Sequence, residues 1–109
     1  MQLSLSTRIA EGFLSKETPT MTLDELCRTA AGAGYDGICM RASQVGVQSS
    51  AEAVRDAKQA LDEHGLAVTM VTGDFDIVYN NDRGPDSLRN ITPYLDLAAA
   101  FDAPLLRVC

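Results

Sequence analysis

Four charged residues, Arg8, Arg41, Asp74 and Arg107, stand where successive apolar segments give way to polar ones. If those segments are parallel strands of a barrel, these positions are the carboxyl ends, where binding and catalytic groups gather. Arg8 shares strand parity with Ser4 and Ser6, Arg41 with Cys39, and Arg107 with Leu105 and Cys109. With Leu3/Leu5 and Leu106/Val108 turned to the helices, all three arginines point inward. Arginine grips carboxylate and phosphate through two parallel hydrogen bonds, so such a mouth would suit an anionic substrate. The alternative is that each arginine pairs with a loop carboxylate and only holds the rim. That second reading suits Arg8 best, and both stay open for Arg41 and Arg107.

Other groups offer less. Asp74 and Asp76 lie in a polar stretch from Gly73 to Gly84 that solvated turn chemistry explains, and the run lacks the glycine and bidentate glutamate of a calcium loop. Asp74 is therefore a candidate for substrate binding, and no metal site is expected among these residues. His64 falls in the last turn of a helix, where an imidazole interacts favourably with the dipole. Cys27, Cys39 and Cys109 fit no C-x-x-C spacing and read as reduced and mostly buried.

Strand-like segments begin near Leu3, Asp36, Ala67 and Pro104, a repeat of roughly 31 to 37 residues, the length of a strand plus a crossover helix. Strands near residues 3–7, 36–41, 67–72 and 104–109 should lie parallel in order 1-2-3-4 with the helices on one face. That is an α/β fold, a parallel (βα)3β half of a TIM (β/α)8 barrel. A full barrel needs about 250 residues. Residues 1–109 are accordingly expected to be the N-terminal portion of a single domain, cut after strand four.

The first helix starts at a Thr22/Glu25 capping box and buries Leu23, Leu26, Cys27 and Ala30. Ser49 and Glu52 predict a second box before Val54, Ala57 and Leu61. The third helix shows a stripe of Leu88, Ile91, Leu95 and Ala98, interrupted by Pro93. Either a new helix begins there with Thr92 as cap, or one helix kinks. Arg8 to Met21 is longer than the two to six residues usual for such a connection, and long loops on this fold tend to be functional.

Composition places the chain among globular domains, with 46% hydrophobic and 22% charged residues. No apolar run reaches the roughly 18 residues of a membrane helix and the start does not read as a signal peptide, so a cytoplasmic location without membrane contact is expected. A net charge of −6 opposes a phosphate backbone, so nucleic acid is not an expected partner.

Several segments resemble a known family: Leu3-Ser4-Leu5-Ser6-Thr7, Ala33-Gly34-Tyr35-Asp36-Gly37-Ile38, Gly65-Leu66-Ala67-Val68, Leu95-Asp96-Leu97-Ala98 and Ala103-Pro104-Leu105-Leu106-Arg107-Val108. Together they look like the first half of the sugar phosphate isomerase/epimerase group of xylose isomerase-like TIM barrels. The resemblance implies an enzyme of carbohydrate metabolism that shifts a proton between adjacent carbons of a sugar or keto-acid. It also implies one divalent metal, manganese, magnesium, cobalt or zinc, held by two glutamates, an aspartate and a histidine on later strands. Two departures stand out: Cys39 where many relatives carry glutamate, and Asp102 where glycine is usual, a position aspartate tolerates in a left-handed turn.

Three further readings compete. A half-barrel could persist as a non-catalytic, self-associating module, a homodimer. The related endonuclease IV group shares the barrel, but one histidine and the acidic charge argue against it. An open flavodoxin-like sheet would carry a glycine-rich phosphate loop after strand one, and none follows.

Overall fold

The computed structural model describes residues 2–12, 18–73 and 82–108. Strands β1 (Ser4–Ser6), β2 (Gly37–Met40), β3 (Ala67–Thr72) and β4 (Leu106–Arg107) form one sheet in the order β1-β2-β3-β4, every pair parallel. Helices α1 (Leu23–Gly32), α2 (Ala51–Glu63) and α3 (Gly84–Ala100) follow the first three strands. All three bury residues in one core against Ile38, Met40, Val68 and Val71, so they cover a single face of the sheet. This is the parallel (βα)3β arrangement that the repeat predicts.

The core face follows from strand parity, with one irregularity. Ile38 pairs with Val68 but Cys39 pairs with Met70, which leaves Thr69 as an extra residue in β3. A bulge of this kind puts two neighbouring side chains on one face. Thr69 and Met70 therefore both turn away from the helices, while Val68 and Val71 keep their place in the core. Simple alternation along β3 does not anticipate that.

The helix starts are set by local hydrogen bonds. At α1 the Thr22 hydroxyl accepts from the Glu25 amide at 3.2 Å and the Glu25 carboxylate accepts from the Thr22 amide at 3.0 Å, the reciprocal box read from the sequence. The second predicted box does not form. Ser50 caps α2 through the Ala53 amide, while Ser49 accepts from Gly46 and closes the preceding turn. Both serines can cap, and the extended backbone of Ser50 decides between them.

Helix α3 also differs from its expected face. It runs through Pro93 as one helix, and the Thr92 hydroxyl turns back to the Leu88 carbonyl at 3.5 Å instead of capping a new start. Tyr94, Leu97 and Ala98 are buried, continued by Phe101, whereas Leu88 and Leu95 of the predicted stripe are 75% and 51% exposed. Two apolar stripes compete on this helix, and the one continuous with the turn into β4 meets the sheet. That turn places Asp102 at a φ of 54°, the left-handed geometry expected of it. Among the described residues no helix is long and apolar enough to cross a membrane.

Candidate substrate-binding rim

The sheet face away from the helices is lined by small polar groups. Ser4 and Thr69 share a hydrogen bond of 2.6 Å across Gly37, and the Cys39 sulfur lies 3.3 Å from the Thr72 hydroxyl. Thr72 is in register with Arg107, which places Arg107 on this same face, exposed, at the carboxyl end of β4. The inward position that parity predicts for Arg107 is therefore met.

Arg41 leaves β2 at the same end. Its amide donates to the hydroxyl of fully buried Thr7 at 3.1 Å, which ties the end of β2 to the segment after β1. Its Nε donates to Glu11 Oε1 at 2.5 Å, and the Ser43 hydroxyl donates to the same oxygen at 3.1 Å. The Glu11 side chain is only 4% exposed, against 20% for Arg41. Among the described residues no group bonds the terminal nitrogens of Arg41. Arg41 thus pairs with a loop carboxylate, the contact that its second sequence reading names, through one of its three nitrogens.

The backbone fixes Glu11 from both sides. Its amide donates to the Arg8 carbonyl at 3.0 Å, and it bridges Pro19 in an isolated antiparallel contact. Flanking bonds join Gly12 to Thr18 at 2.9 Å and Thr20 to Ala10 at 2.5 Å, so the connection from β1 to α1 closes at a neck. Gln44 donates to the Met21 carbonyl at 2.9 Å and fastens the next loop to the same region.

Arg8 does not join the inward set. The strand ends at Ser6, whose hydroxyl accepts from the Arg8 amide at 3.2 Å, and Thr7–Ala10 wind into a 3₁₀ turn. Strand parity is lost there, and Arg8 lies exposed. Asp74 and Asp76 fall outside the described residues. Glu11 was missed in the sequence because a single carboxylate in a long aperiodic loop carries no pattern; the unusual length of that loop was the available signal.

Three other ionisable groups, His64, Cys27 and Lys58, sit within the scaffold. His64 caps α2 and donates from Nδ1 to the Ala60 carbonyl at 2.7 Å, with Nε2 3.9 Å from Asp24. Burial, and secondarily the charge of Asp24, push the Cys27 thiol up to about 11. Lys58 bridges Asp62 and Asp102 at 3.6 and 3.3 Å, beside a shallow cleft at the opposite end of the strands. The hydrogen bond it donates to Asp102, then the charge of Asp62, hold the Lys58 ammonium above its ordinary value. Among the described residues no three His, Cys, Asp or Glu side chains gather as a metal site would require, so these residues do not fit the divalent metal that the resemblance implies.

No family model matches this sequence, and no curated protein matches it. Solved structures match the whole chain. A xylose isomerase-like TIM barrel/4-hydroxyphenylpyruvate dioxygenase fusion protein is 26% identical with a TM-score of 0.72, covering 100% of this chain and 16% of its own. The probable 3-DHS dehydratase AsbF of Bacillus anthracis is 20% identical with a TM-score of 0.69, over 99% of this chain and 38% of its own. The 3-keto-D-glucoside 4-epimerase YcjR of E. coli is 18% identical with a TM-score of 0.67, over 97% and 36%. An AP endonuclease, family 2, of Brucella melitensis shares the fold at 18% identity and a TM-score of 0.61, over 97% and 40%. The fold is a partial TIM barrel of the xylose isomerase-like kind. The chain spans well under half the length of each of these proteins.

Proposed function

We propose that this chain forms the substrate-binding side of an isomerase or epimerase that moves a proton between adjacent carbons of a sugar, sugar phosphate or sugar acid. The observation that carries this is the placement of Arg41 and Arg107 at the carboxyl end of the strands, where this fold keeps its ligands. A 4-epimerase among the proteins of similar fold supports the reaction class. Arg41 and Arg107 bind the carboxylate or phosphate of the substrate, and Asp74, two positions past the end of β3 in the sequence, is a further candidate to bind it. Arg8, exposed on its turn, can meet the charged end of the substrate only from outside. The divalent metal of the resemblance would be held by groups other than the described residues, and the proton-transferring base is not assigned to this chain.

The test is isotope exchange in the protein that carries this chain. Incubated in D2O with manganese or magnesium and a panel of ketoses, sugar phosphates and sugar acids, it should place one deuterium next to a carbonyl. A folded protein that exchanges none of the panel would overturn the proposal.

A second reading, self-association into a homodimer, is favoured by the apolar edge of the sheet: Leu105 and Val108 at β4 are 59% and 43% exposed, and Leu3 beside β1 is 47% exposed. Cleavage of DNA, as the AP endonuclease of similar fold would suggest, is opposed by the net charge of −6. A soluble cytoplasmic enzyme remains part of the proposal.

A further inference from the structure

We propose that Glu11 is a positioning residue, which holds the guanidinium of Arg41 so that its two terminal nitrogens face an oxyanion, carboxylate or phosphate, as a pair. The inference rests on reading Arg41 as a substrate-binding residue and adds how that residue is aimed. A guanidinium offers five donors in one rigid plane. Here Nε alone is engaged, by Glu11 Oε1, and the edge formed by the terminal nitrogens has no partner among the described residues. Fixing Nε fixes the plane, and with it the direction of that free edge.

The anchor is better held than the group it anchors. Glu11 is the more deeply buried of the two, its bonded oxygen takes a second hydrogen bond from Ser43, and its backbone is pinned by Arg8 and Pro19. A pair that served only to fasten the loop would gain most by meeting two nitrogens at once, in the fork geometry that arginine favours. This pair meets one. Glu11 also cancels the formal charge of Arg41, so the site draws anions weakly from afar and depends on two direct hydrogen bonds at contact. Binding should accordingly vary little with salt.

The experiment titrates the protein with inorganic phosphate and, separately, with gluconate at constant ionic strength, measuring binding by calorimetry in every variant and following the Arg41 side-chain Nε–H signal by NMR where Arg41 is kept. Wild type should shift saturably with at least one probe, and the probe that binds identifies the oxyanion. R41K, read by calorimetry, should lose binding. E11D keeps the charge but withdraws the carboxylate by one methylene, and should weaken binding about tenfold, the order of one hydrogen bond lost. E11Q keeps the reach and an acceptor oxygen, and should stay within about threefold of wild type, less than one hydrogen bond lost. Unchanged binding in R41K, or no response in wild type, would overturn the reading of Arg41 itself. Loss in R41K with E11D equal to wild type and E11Q tighter would spare Arg41 and overturn the positioning role, because Glu11 would then act only by neutralising charge.

Discussion

Thr69 lies directly over Gly37: a β-carbon added to Gly37 would stand 2.5 Å from the Thr69 methyl and 2.8 Å from the Ala67 carbonyl oxygen. The bulge in β3 turns Thr69 to this face, and the missing side chain in β2 receives it. Gly37→Ala should therefore destabilise the protein by about 1–3 kcal/mol, the usual cost of overpacking. Adding Thr69→Ser removes the methyl clash but not the backbone one, so the double variant should recover only part of the loss. Urea denaturation of the three proteins measures this, and a Gly37→Ala variant as stable as wild type would contradict the close approach.

The Cys27 thiol should stay protonated and unreactive at neutral pH. Its value in the folded protein is about 11 against an ordinary 9.0. Below pH 9 both states are protonated and the stabilisation is complete. Between about 9 and 11 the unfolded chain loses its proton first, so stability falls as pH rises, by on the order of 2 kcal/mol. The difference between wild type and Cys27→Ala, followed by denaturation across that range, isolates the effect. A flat difference would refute it.

Much of the scaffold was legible in the sequence because it is periodic. The four strands, their order and the Thr22/Glu25 box each follow from spacing that local chemistry enforces. What escaped was decided by a choice between near-equal local options. Ser50 and Ser49 could both cap α2, two apolar stripes of α3 could both meet the sheet, and a bulge at Thr69 leaves no mark on composition. Arg8 leaves the inward set because β1 ends at Ser6, before the alternation reaches it. At the rim, parity gave the face of Arg107, but the partner of Arg41 came from an aperiodic loop.

The edge of β4 should make the 109-residue chain self-associate at micromolar concentration. Leu105→Lys places a charge on the exposed edge, the device by which natural sheets avoid pairing, and should shift the protein to monomer. Sedimentation equilibrium decides this. A wild-type protein that stays monomeric at about 100 μM would reject the second reading.

The 109-residue chain should bind no divalent metal stoichiometrically. A catalytic site on such folds needs about three protein ligands, and the described residues bring no such group together. Manganese and zinc titrations by calorimetry are the measurement. A one-to-one isotherm abolished by Asp74→Ala would prove the expectation wrong.

The neck that joins Ala10 to Thr20 and Gly12 to Thr18 has an evolutionary consequence. Glu11 lies within it, so its carboxylate is placed before the chain travels on. Doubling a loop beyond such a closure costs only about 0.6 kcal/mol. Insertions and deletions between Gly12 and Thr18 can therefore accumulate without displacing the grip on Arg41. Descendants of this sequence would be free to vary that stretch while inheriting, unaltered, the hand that holds the guanidinium.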